Sequence, residues 1–215
     1  MVYRSYVTLN VAIVGNTKVA EELTFAFLAA GHNVCIAGGP GASENEIASN
    51  YDTPNLYRCT IEEAASFSDF IIIATEPQNV REVAYWLGDV RNKVIVDLTP
   101  NVSATSVPEQ HEHFNSAKAI SAITGARDIV KVFNFKRQYK LFKPLFDGKK
   151  VDMLLAGDSL KAKEITKILM RECGMSHFYD FGGSDSHFLL DEMAPTWRTM
   201  IAEKSNFNQP IGISK

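Results

Sequence analysis

Chemistry is offered first by Gly15-Asn16-Thr17-Lys18-Val19-Ala20, which follows the apolar run Val11-Ala12-Ile13-Val14 and leads into a stretch of helical period. A strand-to-helix turn that grips a diphosphate needs one glycine for a tight bend and a second where backbone approaches the phosphates. It needs a third, or an alanine, where helix packs on strand. Gly15 and Ala20 fill the first and third places, while Thr17 stands in the second. The helix start would still present amides and the positive end of its dipole, with Asn16 and Thr17 as further donors. A single glycine in such a turn is also common in any α/β domain, so the segment admits a plain structural reading beside the phosphate-binding one.

A dinucleotide site has a second mark about 20 residues on, an acid for the adenosine ribose or an arginine for a 2′-phosphate. Ala37-Gly38-Gly39-Pro40-Gly41-Ala42-Ser43 carries neither. The glycines leave room for an adenosine end without a charge to discriminate NAD from NADP, and they suit a flexible loop equally well.

Other groupings read more simply. His111-Glu112-His113 would make a metal pair on a strand, where alternate side chains share a face, but it follows Pro108 and reads as solvated loop or short helix. Ser186-His187 with Asp185 or Asp191 lacks the Gly-x-Ser-x-Gly elbow of a hydrolase, and reads as the start of a final helix capped by Ser184 or Asp185. Lys136, Arg137, Lys140 and Lys143 could draw a phosphate-bearing ligand toward a cleft, but such a run reads more simply as an exposed helix face. Phe188, Met193 and Trp197 have the spacing of a buried face or a dimer contact, and Pro195 begins or kinks the helix there.

These residues must be positioned by regular elements, and β-branched runs alternate with helical periods along the chain. The pattern predicts strands over Leu9–Val14, Asn33–Ala37, Asn55–Cys59, Asp69–Thr75, Lys93–Leu98, Ala119–Ile123, Ile129–Phe133, Val151–Ala156 and His177–Phe181. Phe70-Ile71-Ile72-Ile73-Ala74 and Val94-Ile95-Val96 are apolar throughout, as in a parallel sheet covered on both faces. Val19, Leu23, Phe27 and Ala30 share one helical face, as do Val80, Val83, Ala84 and Leu87. Ala162, Ile165, Ile168 and Leu169 form a third stripe, with Lys161, Lys163, Glu164, Lys167 and Arg171 facing away. Gly31 stops the first helix, and Thr60 with Glu63 and Ser43 with Glu46 have capping-box spacing. Strict alternation ends near 134–147, which sets a boundary between residues 1–134 and a smaller C-terminal portion, 135–215, with a ligand cleft expected between them.

The 215 residues carry 22 Lys+Arg against 25 Asp+Glu, a formal charge of −3 that gives no basic surface for nucleic acid or anionic membrane. Cys35, Cys59 and Cys173 are odd in number and form no Cys-x-x-Cys pair, so three free thiols and a reducing compartment are expected. No stretch approaches the about 20 apolar residues of a membrane helix, and the N-terminus lacks the apolar core of a leader. A cytoplasmic location is expected.

Over nearly its whole length, from Val11 to about Met200, the chain resembles the NADPH:coenzyme F420 oxidoreductases, the deazaflavin-dependent NADP oxidoreductases. It is also similar to the NADPH-binding cytosolic domain of the six-transmembrane metalloreductases. The points of resemblance are Val11-Ala12-Ile13-Val14-Gly15 with Ala29-Ala30-Gly31-His32, then Asp97-Leu98-Thr99-Pro100-Asn101 and Val130-Lys131-Val132-Phe133-Asn134. Ala156-Gly157-Asp158-Ser159, and Asp180-Phe181-Gly182 followed by Glu192 and Trp197, complete them.

The resemblance implies an α/β fold, a Rossmann-like doubly wound parallel sheet with a small C-terminal α+β extension. It implies an NADP(H)-dependent enzyme, NAD not being excluded, that passes hydride to or from a small second partner: coenzyme F420, a flavin or a small carbonyl compound. Gly15, Asn16, Thr17, Lys18 and Val19 would border the diphosphate and Gly38 and Gly39 the adenosine 2′-position. Thr75, Glu76 and Pro77 would lie along the cofactor, and Asn134 would approach the nicotinamide. Three departures stand out: Thr17 for the second glycine, Gly38-Gly39 for a Ser-Arg type of contact, and Thr99-Pro100-Asn101 for the order Thr-Asn-Pro. They motivate an alternative, a non-catalytic NAD(P)-binding or regulatory module. No catalytic side chain is assigned, because hydride transfer between stacked rings asks for close approach and exclusion of water rather than a proton shuttle.

Overall fold

The computed structural model describes residues 7–39, 53–100, 114–134, 145–146, 149–150, 152–175 and 177–193. The chain runs β1 (Asn10–Val14), α1 (Lys18–Ala30), β2 (Asn33–Ala37), β3 (Leu56–Arg58), α2 (Ile61–Phe67), β4 (Phe70–Ile73), α3 (Val80–Leu87), β5 (Val94–Asp97), α4 (Ser116–Thr124) and β6 (Asp128–Asn134). The short β7 (Leu145–Phe146) and β8 (Lys149–Lys150) follow, then β9 (Asp152–Ala156), α5 (Leu160–Glu172) and β10 (His177–Asp180). A last helix, α6, covers 187–193.

Eight strands form one sheet in the order β10-β9-β6-β5-β4-β1-β2-β3, and β7 pairs with β8 separately. All neighbours in the large sheet are parallel except β6 and β9, where Lys131 faces Ala156 and Asn134 faces Met153. The sheet is therefore mostly parallel, as expected, and mixed only at that one join, where the C-terminal extension begins. Parallel and antiparallel strands buried on both faces read alike in sequence, and only connection geometry separates them.

Helices cover both faces. α1 and α5 pack on Val11, Ile13, Val94, Val96, Val130 and Val132. α2, α3 and α4 pack on Ala12, Val14, Ile71, Ile73, Ile95 and Ile129. Leu190 of α6 packs on Leu154 and Ala156, and because Ala156 faces Lys131 across the antiparallel pair, α6 lies on the α4 side. Central β4 is buried at every residue, which explains its uninterrupted apolar run.

Local signals act as read at several points. Gly31 ends α1 in the left-handed region, Thr60 and Glu63 form a reciprocal capping box, and Val80, Val83, Ala84 and Leu87 are the buried face of α3.

Other expectations are corrected. Ala119–Ile123 lies inside α4, which Asn115 caps and Gly125 ends; Ala117, Ile120 and Thr124 are buried at helical rather than alternate spacing. On α5, Ile168 is 52% exposed, whereas Lys163 is buried and reaches Asp180 at 2.9 Å. The amide at the start of the turn before α6 is satisfied from outside: Ser184 N donates to Asp158 Oδ1 at 2.7 Å, so neither Ser184 nor Asp185 caps it.

Cys35 and Cys59 are joined by a disulfide, leaving Cys173 as the free thiol. Cys35 is registered with Tyr57 on the neighbouring strand, so Cys59, two residues on, lies diagonally beside it. Spacing along the chain carries no trace of that proximity, and the thiol argument for a reducing compartment falls with it. Among the described residues no helix is long and apolar enough to cross a membrane. Ser43 with Glu46, His111-Glu112-His113, the Lys136–Lys143 basic run, Pro195 and Trp197 lie outside the described residues.

Candidate functional site

Strand order reverses at β1, which has β2 on one side and β4 on the other. Beyond the C-terminal ends of strands at such a switch point an open α/β sheet leaves a crevice. Gly15 leaves β1 there with φ +142°, a conformation side chains rarely adopt, and its amide donates to Ala37 O of β2 at 2.9 Å. A Cβ at Gly15 would overlap the Ala74 carbonyl, so glycine is required for the β1 and β4 exits to pass this closely.

Thr17 caps α1. Its Oγ1 accepts from Ala20 N at 3.3 Å and donates to Ala74 O at 2.8 Å. The hydroxyl at the second-glycine place is thus turned into the protein, tying the helix start to the end of β4. Asn16, Lys18 and Val19 are exposed beside it, and Lys18 Nζ pairs with Glu21 at 2.6 Å.

Gly39 closes the other side. A Cβ there would lie 3.5 Å from Thr75 Oγ1, 3.7 Å from Asn16 Oδ1 and 3.8 Å from Asn79 Nδ2. Segments following β1, β2 and β4 therefore converge on one small polar space. Thr75 is fully buried, and its hydroxyl, like Glu76 Oε2 and Thr99 Oγ1, has no hydrogen-bond partner among the described residues. Each such atom costs about 1–3 kcal/mol when left unsatisfied. These three lie just beyond β4 and β5, and Asp191 Oδ1 is a fourth such atom among the described residues. Pro77 opens the short 3-10 turn Pro77–Asn79 that leads into α3 and carries Asn79 to the site. Asn134 ends β6 at the same edge of the sheet, three strands from β1.

Beneath the β5–β6 part of this edge lies a buried charge network. Lys131 Nζ reaches Asp97 Oδ2 at 3.1 Å, Thr99 O at 2.7 Å, Ser116 Oγ at 2.5 Å and Asp191 Oδ1 at 3.0 Å. Asp97 also accepts from Thr99 N at 2.9 Å and from Ser116 Oγ at 2.5 Å. Burial pushes the Asp191 carboxyl up against the pull of Lys131. Burial and then the Lys131 charge hold His187 below its ordinary value, with its Nε2 3.3 Å from Ala156 O. His187 thus faces a backbone carbonyl and Asp191 a lysine, so the hydrolase grouping is not assembled.

Sequence reasoning missed Asn79, Thr99 and the Asp97–Lys131–Asp191 set. A lysine inside Val130-Lys131-Val132 and an aspartate ending Val94-Ile95-Val96 were the available signs, because a charge within a doubly covered strand must find a partner.

A glycine cradle that a Cβ would fill, a helix start and an unpaired buried hydroxyl at a switch point fit a dinucleotide. Fold and edge define the class of Rossmann-like α/β domains with a crevice at the switch point. Residues 10–101, under half of the chain, match the family model described as NADP oxidoreductase, coenzyme F420-dependent. A candidate F420-dependent NADP reductase from Arthrobacter sp. FB24 superposes with TM-score 0.77 at 17% identity, covering 96% of this chain and 100% of the other. The hypothetical protein SMa0349 from Sinorhizobium meliloti gives TM-score 0.68 at 18% identity, covering 95% and 92%. A pyrroline-5-carboxylate reductase from Coxiella burnetii gives 0.63 at 14%, covering 92% and 68%. At these identities the likeness is one of fold. No curated protein matches the chain.

Proposed function

We propose that the chain is an NADP(H)-dependent oxidoreductase, able in principle to accept NAD(H), that exchanges hydride with a small second redox partner of deazaflavin, flavin or carbonyl type. The observation that carries this reading is the buried Thr75 hydroxyl, without a hydrogen-bond partner among the described residues, in the space beside Gly39 that Asn16 and Asn79 also border. Nicotinamide, when bound, supplies the hydride chemistry. The chain's own residues bind and orient. Gly15 and the α1 start, with Asn16, Thr17, Lys18 and Val19, border the diphosphate, where amides and the helix dipole favour negative charge. Gly38 and Gly39 border the adenosine ribose. Thr75, Glu76 and Pro77 lie along the dinucleotide, and Asn134 stands at the nicotinamide end. Thr17 contributes by fixing the helix start rather than by touching phosphate, since both bonds of its hydroxyl run inward.

The partner is received on the side of residues 135–215. Support comes from α6, which Asp191 ties to Lys131 beneath the β5–β6 edge.

Titration of the protein with NADPH and NADH, followed by nicotinamide fluorescence, tests the binding. Saturation in the micromolar range is expected; silence at millimolar concentration of both removes the proposal. Hydride exchange with F420, a flavin or a small carbonyl compound then separates an enzyme from a binding module: turnover with none of them, despite binding, favours the module.

A further inference from the structure

Thr99 occupies on β5 the place that Thr75 occupies on β4. Ile73 is registered with Asp97, and Leu98 N still donates to Ile73 O at 2.8 Å one residue on. The two threonines therefore hold equivalent positions on neighbouring strands, each two residues beyond the last registered pair. Both are buried, at 0% and 2% exposure, and both hydroxyls lack a partner among the described residues.

The backbone of Thr99 is held with unusual thoroughness. Its amide donates to Asp97 Oδ1 at 2.9 Å and its carbonyl accepts from Lys131 Nζ at 2.7 Å. Asp97 and Lys131 are themselves paired and are braced by Ser116 and Asp191. A buried ion pair is no better for stability than well-packed apolar residues of the same volume, so its retention calls for a geometric reason. Fixing one residue at a binding edge is such a reason. The residue so fixed carries a hydroxyl where valine would fill the same volume without an unmet hydrogen bond.

We infer that Thr99 is a second cofactor-contacting residue, its hydroxyl bonding the nicotinamide-side half of the dinucleotide. The inference rests on the reading of this edge as a dinucleotide site. With the adenosine ribose over Gly38-Gly39 after β2 and the diphosphate over Gly15 after β1, the ligand continues across β4 to β5. β5 lies three strand spacings from β2, about 14 Å. Thr75 and Thr99 then meet the ribose hydroxyls or carboxamide of the nicotinamide half, while the ADP half lies beyond Thr99's reach.

The test compares Thr99→Val and Thr99→Ser with the unmodified chain, measuring dissociation constants for NADPH, NADH and, separately, ADP and 2′,5′-ADP by calorimetry, with thermal melting alongside. Thr99→Val is expected to weaken whichever dinucleotide binds about 10-fold, one lost neutral hydrogen bond. It should leave the binding of the ADP fragments within two-fold and the melting temperature unchanged or raised. Thr99→Ser should restore dinucleotide binding. Unaltered dinucleotide affinity in Thr99→Val overturns the inference while the dinucleotide site stands. Equal losses for dinucleotide and ADP fragments, or a lowered melting temperature with no rescue by serine, assign Thr99 a structural role and overturn it too. An unmodified chain that binds no dinucleotide takes down the underlying reading, and this one with it.

Discussion

The two sides of the sheet's C-terminal edge meet the same problem in opposite ways. Around β2, β1 and β4 the edge is built of backbone, glycines and hydroxyls; its charged side chains, such as Lys18 and Glu21, pair in solvent, and Thr75 Oγ1 and Glu76 Oε2 stay unpaired. Around β5, β6 and α6 the edge is built of buried ions, and Lys131 is shared among Asp97, Ser116, Asp191 and the Thr99 carbonyl. The ionic side fixes geometry through this network, with Asp191 Oδ1 held by ion pairing rather than a hydrogen bond, and the other side carries the groups that the proposed dinucleotide would meet. Thr99 straddles the two, with its backbone saturated and its hydroxyl not.

Lys131→Met would break this division most severely. It leaves two buried carboxylates without their cation, and a loss of about 3–5 kcal/mol in urea unfolding is expected; a loss under about 1 kcal/mol would mean that the network is not the brace described. On the other side, reduction of Cys35–Cys59 or the Cys35→Ser/Cys59→Ser pair opens a loop of sequence separation 24. The loop-entropy relation gives about 3 kcal/mol for such a loop. The melting temperature should fall on reduction, and an unchanged one would contradict the cross-link.

Thr17→Gly sharpens the comparison at smaller cost. The lost cap and the lost bond to Ala74 should destabilise by about 1 kcal/mol, and dinucleotide affinity should hold or weaken. Tighter binding would show that the threonine obstructs the phosphates.

The smallest effect is the pH response of the ionic side. The folded pKa of His187 lies below its ordinary 6.5, so the neutral ring's contribution is complete above that value and is lost as pH falls through the folded one. Asp191 has the opposite sign: raised above 3.8, its contribution is full below that value and is lost as pH rises through the folded one. Substituting His187 by Gln should flatten the stability profile below pH 6.5. Retention of the wild-type slope there would assign the loss to other groups.

How much of this was legible follows from what each signal encodes. β4 and α3 were readable because an apolar run and a period of 3.6 are properties of neighbours in sequence. Ala119–Ile123 misled because five residues of Ala-Ile-Ser-Ala-Ile suit either period; Asn115 and Gly125, the cap and the stop, were the deciding marks. The glycine turn was visible at Gly15, yet the direction of the Thr17 hydroxyl depends on Ala74, which is 57 residues away. The pairing of Cys35 with Cys59 and of Lys131 with Asp191 likewise depends on strand order and on the docking of α6, which no local pattern carries.

The central claim is that the Gly15 turn and the Gly39–Thr75 space hold a nicotinamide dinucleotide. Its most direct test is a side-by-side NADPH and NADH titration of the unmodified chain and of Gly39→Val, whose larger side chain would fill the space bounded by Thr75, Asn16 and Asn79, with circular dichroism confirming that both are folded. Micromolar saturation in the first and a loss of at least 10-fold in the second is the predicted result. Equal affinities in the two folded proteins, or no binding to either, would contradict the account.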